Sequence, residues 1–281
     1  ILHQRASAWC AENGLPADAI RHAFAANDVA RAADLVELAV PAMGRSRQEA
    51  TLLGWLKALP EELLYCRPVL SVYYAGALLL NGELKGVEAR LRDAERWLDT
   101  TPDADRDEQP ATSLARANPK PGRTMIVVDE AEFRGLRSSI AMYRAASALA
   151  LGDMVRTTQY ARQALNLAPV DDHLRHGAAA GLLGLAYWAQ GDLTAAHQSY
   201  SECMTRLQRA GYIADTIGCA IAKADIQIVQ GRLRDAMRTY EQAMQAAAPP
   251  DAPVLRGAAD MHVGMSTLLY ERNDLAAAMQ Q

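Results

Sequence analysis

The chain has 281 residues, half of them hydrophobic, and a formal charge of −4, so it can bury a sizeable core but offers no clustered basic surface for phosphate recognition. Aromatic residues make up only 6%, and much of the apolar content is alanine and leucine, which suits closely packed helices and disfavours a β-sandwich. The sequence has neither a signal-peptide pattern nor an apolar run of about 18 residues able to span a bilayer, so no membrane partner and a cytoplasmic location are expected.

In chain order, the first elements are short helices. One is expected from His3 to Glu12, ending at Asn13-Gly14. Pro16 opens a second through Ile20, Ala23 and Phe24, as proline does at a first helical position. Asn27-Asp28 begins a third through Ala32, Ala33, Leu35 and Val36. Two more are expected around Leu52–Leu59 and Val69–Leu80, separated by the helix-breaking dipeptides Leu59-Pro60 and Arg67-Pro68.

Between Thr100 and Arg123 lie Pro102, Pro110, Pro119 and Pro121 among charged and small residues, the composition of an inserted surface loop. Thr124 to Val128 is β-prone but isolated, so an ordered strap lying on the helices is expected rather than a sheet. Asp129, Glu130 and Glu132 follow as an acidic helix start without a nearby nucleophile.

From there a short signature repeats. It reads Asn81-Gly82-Glu83-Leu84, Leu151-Gly152-Asp153-Met154, Gln190-Gly191-Asp192-Leu193, Gln230-Gly231-Arg232-Leu233 and Arg272-Asn273-Asp274-Leu275. After the longer step across the insert, these turns recur about every 40 residues, enough for two helices and their turns. Glycine or asparagine supplies the left-handed residue that ends one helix, and the acid after it favours the start of the next. Leu193, Ala196, Tyr200 and Cys203 then form an apolar stripe, as do Leu233, Ala236, Tyr240 and Ala243. The stretch from Leu183 and Gly184 through Tyr187 and Gly191 to Ala196 and Tyr200 follows the tetratricopeptide pattern, with Gly184 and Ala196 as the small residues that admit the partner helix. Pro169 resembles the proline that closes such a unit. The fold class expected is all-α, tetratricopeptide-like helix-turn-helix repeats with a helical N-terminal lead-in.

Cys10, Cys66, Cys203 and Cys219 have no C-x-x-C spacing and sit in apolar stretches, so reduced, buried thiols are expected. His173 and His176 beside Asp171 and Asp172 imitate a metal pair, but their place at a helix start is better suited to capping, and no metal is expected. No nucleophile–base grouping can be inferred, so the chain is not expected to be an enzyme.

Several stretches carry a family resemblance: Leu2-His3-Gln4-Arg5-Ala6-Ser7-Ala8-Trp9, Asn13-Gly14-Leu15-Pro16-Ala17-Asp18-Ala19-Ile20-Arg21-His22-Ala23, Ala32-Ala33-Asp34-Leu35, Trp55-Leu56-Lys57-Ala58-Leu59-Pro60 and Arg67-Pro68-Val69-Leu70. Gly135-Leu136-Arg137 and Arg175-His176-Gly177-Ala178-Ala179 continue it. In order and spacing the chain resembles the central-to-late portion of the large MalT-like class of LuxR-family transcriptional regulators. That resemblance implies a sensor region stacked as a right-handed superhelix, within proteins that also carry a signal-transduction ATPase, a winged-helix segment and a helix-turn-helix. It implies residues 1–66 as a helical lead-in and 67–281 as the repeat sensor domain, with the loop inserted at 100–123. No G-x-x-x-x-G-K-[ST] is present, so ATP is expected only on the family's N-terminal domain and no cofactor in this stretch. The chain opens at Ile1 without methionine and stops inside a helical pattern, which reads as a piece of a longer protein.

Alignment on Gly184 assigns Trp188 to the inner wall of such a stack, with Asp225, Ile228 and Tyr270 at equivalent sites in later units and Met142 one unit earlier. An aromatic ring and a carboxylate suit a small polar ligand, although packing between adjacent repeats is the favoured explanation of Trp188 and Tyr270. The partner expected is a small-molecule inducer or a regulatory protein, together with the other domains of such a regulator, whose self-association is implied by the resemblance. A peptide-binding adaptor is the alternative. The lysine and asparagine clamp of carboxylate-binding co-chaperones is replaced here by Met142, Ala146, Gly181, Leu185, Ile221 and Asp225.

Overall fold

A computed structural model describes residues 1–99, 124–247 and 257–281. The described residues form sixteen helices and no strand. They fall into two compact units, Ile1–Tyr143 and Arg144–Gln281. The 100–123 insert lies outside the described residues.

The first unit begins with α1 (Leu2–Glu12), α2 (Pro16–Ala25), α3 (Val29–Arg45) and α4 (Glu49–Ala58), then α5 (Glu61–Tyr65), α6 (Pro68–Leu80), α7 (Val87–Leu98) and α8 (Glu130–Arg134). The breaks fall where proline or a left-handed residue dictates. Pro16 and Pro68 sit at the first positions of α2 and α6. The Leu59–Arg67 interval, read from sequence as a simple break, holds the five-residue α5, started by Pro60. The core gathers on α6, where Val69, Leu70, Val72, Ala75, Ala77 and Leu78 are all buried. An α6 buried on nearly all sides explains why its sequence is uniformly apolar rather than striped.

Thr124 to Val128 is an ordered, non-helical strap, as expected. Its Ile126 N–H donates to the Cys66 carbonyl at 2.8 Å. The Val128 and Asp129 N–H groups both donate to Glu37 Oε1, at 2.9 and 3.0 Å. Glu37 is fully buried, and the nearly buried Arg67 reaches its other oxygen at 3.7 Å and Asp34 at 2.6 Å. Burial pushes the Glu37 carboxyl above its ordinary range, opposed by the two strap donors and by Arg67.

From α9 (Leu136–Ala150), which carries the division between the units, the helices run as antiparallel pairs. They continue as α10 (Met154–Leu167), α11 (His173–Ala189), α12 (Leu193–Arg209), α13 (Ile213–Val229), α14 (Leu233–Ala247), α15 (Ala258–Glu271) and α16 (Leu275–Gln280). Each glycine turn read from sequence is a helix–helix turn. Gly191 has φ +81° and Asn273 φ +60°, the left-handed conformation that ends α11 and α15. At three of the turns the acid that follows caps the next helix: Asp153 accepts from Arg156 N–H at 2.9 Å, Asp192 from Ala195 N–H at 3.0 Å and Asp274 from Ala277 N–H at 3.2 Å. Glu83 does not, because α7 begins only at Val87 behind Gly86, and it pairs with Lys57 at 2.7 Å instead.

Close packing within the pairs depends on glycine opposite tyrosine. A Cβ at Gly184 would lie 2.9–3.2 Å from ring atoms of Tyr200. The nearest atoms facing Gly184 are those of that ring, and Ala196 is fully buried in the same cluster. The small residue makes room for an aromatic plate, and the helices approach through it. Between successive pairs, Gly264 on α15 receives the Tyr240 ring of α14 in the same way.

Candidate functional site

The positions assigned to an inner wall do not all play one part. Met142 lies on α9 in the first unit and is half-buried. Trp188 turns its ring edge-on to Tyr200, with centroids 6.4 Å apart, and packs on the cluster of Ala196, Tyr200 and Ile226. Ile228 packs against the cluster built on Ile217, Tyr240 and Met261. Asp225 accepts the Tyr240 hydroxyl at 3.3 Å. Burial raises the Asp225 carboxyl, with the tyrosine hydrogen bond opposing it, and pushes the Tyr240 phenol up to about 12. Tyr270 is 65% exposed on α15 and is the member of the set most open to a ligand.

Two polar features escaped the sequence reading. A seam crosses α12, α13 and α14: His197 Nε2 meets Gln227 Nε2 at 3.3 Å, and Thr239 donates to Gln227 Oε1 at 2.9 Å. Burial lowers the His197 imidazole and the Lys223 ammonium nearby, with Arg232 adding to both effects. The second feature is a shallow basin of about 500 Å³ around the α13–α14 turn. Arg232, Arg234, Arg238 and Arg272 line it, with Asp235 as its carboxylate. Asp235 holds Arg232 at 2.9 Å and Arg238 at 3.1 Å. No motif announces the basin, because Arg272 is some 40 positions from the other three and joins them only when the pairs stack.

The apparent metal and acid motifs are helix caps. Asp172 accepts from Arg175 N–H at 2.9 Å and pairs with the same guanidinium. His173 contacts Arg206 and His176 contacts the Pro169 carbonyl. Asp129 caps α8 through the Ala131 and Glu132 N–H groups. Among the described residues no group of three potential ligands could hold a metal ion, and no helix is long and apolar enough to cross a membrane.

Residues 138–281 match the family model of the MalT-like TPR region, beginning two residues into α9 and running through every helix pair after it. The chain belongs to the MalT-like TPR family. The likeness to relatives extends beyond those residues. Against the HTH-type transcriptional regulator MalT of Serratia proteamaculans the chain is 26% identical over 246 residues, 87% of this chain and 24% of that protein. Against MalT of Yersinia pestis it is 27% identical over 247 residues, with the same shares covered. A shorter match, 40% identical over 101 residues, is to the serine/threonine-protein kinase PknK of Mycobacterium tuberculosis, covering 34% of this chain and 9% of the kinase. The chain thus spans about a quarter of the MalT proteins and less than a tenth of PknK.

Proposed function

We propose that this chain is the sensing and protein-interaction segment of a cytoplasmic bacterial LuxR-type transcriptional activator, and that it works by binding rather than by catalysis. The observation that carries this reading is the span of the MalT likeness. It covers 87% of the chain, more than the 138–281 repeat region alone, in proteins named as HTH-type transcriptional regulators. ATP and DNA belong, in this reading, to other parts of such a regulator. An inducer bound to the repeats would favour the ATP-bound, self-associating form over a resting one, which requires a coupling of about 1–3 kcal/mol between the two sites. Tyr270 and Asp225 are the ring and acceptor proposed to meet that ligand, with Ile228 on the same helix as Asp225 and Trp188 packed against that helix through Ile226.

The test is thermal unfolding of the 281-residue chain across a panel of sugars, nucleotides and amino acids. A ligand at 100 times its Kd stabilises by about 2.7 kcal/mol, a shift of several degrees that Tyr270→Ala should abolish without altering the unliganded midpoint. If no small molecule moves the midpoint while a purified protein partner does, the inducer reading fails and the adaptor reading replaces it.

A further inference from the structure

The repeat architecture leaves one pair of reactive groups unused. Cys203 on α12 and Cys219 on α13 place their sulfurs 3.1 Å apart, although sixteen positions separate them in sequence. Neither has a disulfide partner. Cys203 is 1% exposed and belongs to the cluster of Ala180 and Leu207, whereas Cys219 is partly open and packs on that cluster from outside. Gly181 on α11 leaves the space: a Cβ there would stand 3.2 Å from the Cys203 sulfur. A disulfide needs sulfurs about 2.05 Å apart, so an approach of about 1 Å would bring the two into bonding distance.

We propose that Cys203 and Cys219 form a reversible oxidation site, closed by a hydroperoxide into a disulfide that staples α12 to α13. Cys219, the accessible member, reacts first. Its thiolate attacks the distal peroxide oxygen, the O–O bond breaks, and the remaining alkoxide leaves as the alcohol after taking up a proton. Cys219 is now a sulfenic acid, oxidised by two electrons while the peroxide is reduced. The Cys203 sulfur then attacks the Cys219 sulfur, the S–O bond breaks, and water departs with the Cys203 proton. Two thiols and one hydroperoxide become one disulfide, one alcohol and one water. A low-molecular-weight thiol reverses the reaction by exchange. The hydrogen bond with Cys219, together with burial, holds the Cys203 thiol above its ordinary range. The Cys203 proton must therefore be given up as its sulfur attacks, and the adjacent leaving hydroxide is the group that takes it.

The staple would fix the joint between two successive helix pairs, since α12 closes one pair and α13 opens the next. The experiment treats the folded chain with graded hydrogen peroxide, alkylates the remaining thiols and digests with trypsin. Cleavage after Arg206 and Arg209 separates the two cysteines unless they are bonded. Expected are a linked pair of peptides, lighter by about 2 Da than the two reduced ones together, its loss on adding dithiothreitol, and alkylated Cys10 and Cys66. The oxidised chain should unfold roughly 5–10 °C higher than the reduced one, and peroxide should leave the midpoints of Cys219→Ser and Cys203→Ser unmoved. Over-oxidised Cys219 beside a free Cys203, linkage only in denaturant, linkage to Cys10, Cys66 or a second chain, or an unshifted midpoint would each overturn the proposal.

Discussion

Replacing Gly184 by alanine tests whether the helix pairs are held at their spacing by glycine–tyrosine contact. Two opposing terms can be set against each other. Alanine is the better helix former by about 1 kcal/mol, and Gly184 lies inside α11 with an ordinary helical backbone. The new Cβ, however, would stand 2.9 Å from Cε2 and 3.0 Å from Cδ2 of Tyr200. That ring is buried and held edge-on by Trp188, so it cannot yield as a flexible side-chain end would. Overpacking of this kind costs about 1–3 kcal/mol, and the balance is a net loss of about 1 kcal/mol, or roughly 2–4 °C in Tm. Gly218 supplies the internal control. It is also helical, on α13, but a Cβ there meets nothing within 4 Å, so Gly218→Ala should stabilise by about 0.5–1 kcal/mol. The assay is thermal and urea unfolding of the two variants beside the parent chain. Equal stabilisation by both substitutions would falsify the packing argument, because the Tyr200 contact would then impose no cost.

Three further outcomes follow from the same geometry. Asp192→Ala removes the acceptor for the Ala195 N–H and should cost about 1 kcal/mol in urea unfolding, with Asp192→Asn retaining most of it; an unchanged midpoint for the alanine variant would sink the capping assignment. Glu37 has a folded-state pKa raised above its ordinary 4.5, so the native state binds the proton more tightly than the unfolded chain. Its contribution is therefore fully present below about 4.5 and is lost as pH rises through the raised value; the Tm of Glu37→Gln, measured against pH, should lack that decline, and parallel curves for the two proteins would refute the assignment. Trp188→Ala should destabilise by roughly 2–4 kcal/mol through lost contact with Tyr200 and Ile226, while Tyr270→Ala, at an exposed site, should stay within about 0.5 kcal/mol; calorimetry of both separates a packing residue from one free to meet a ligand.

Local rules made the helices and their turns legible. Gly191, Asp192 and the stripe from Leu193 to Cys203 concern residues close in sequence, and a left-handed residue followed by a capping acid has one structural use wherever it occurs. The same logic turned His173, His176 and Asp129 from apparent chemistry into helix starts. What sequence could not supply was the identity of contacts between helices. Gly184 was readable as a small residue required for close approach, but whether Ala196 or Tyr200 filled the space depends on rotation about the axis of α12. Trp188 and Tyr270 occupy equivalent places in the repeat, yet one is packed and the other exposed, because the neighbour of each differs. The Glu37–strap contact spans 91 residues and rests on one buried carboxylate that no local pattern distinguishes from a surface glutamate.

The joint between α12 and α13 brings these threads together. In a stack of helix pairs each pair touches mainly its neighbours, so stability is close to a sum of terms within pairs and between them. A signal that passes along such a stack must therefore alter a between-pair term. On one side of this joint Trp188 and Tyr200 pack against Ile226; on another, His197 meets Gln227, which Thr239 ties to α14. The neighbouring thiols Cys203 and Cys219 lie in the same interface. Apolar contact and a polar seam thus meet in one interface. Asp225 on α13 is in turn tied to α14 by Tyr240, which carries the joint into the next pair. A change at this joint therefore alters contacts between helix pairs while leaving the backbone hydrogen bonds inside each helix in place.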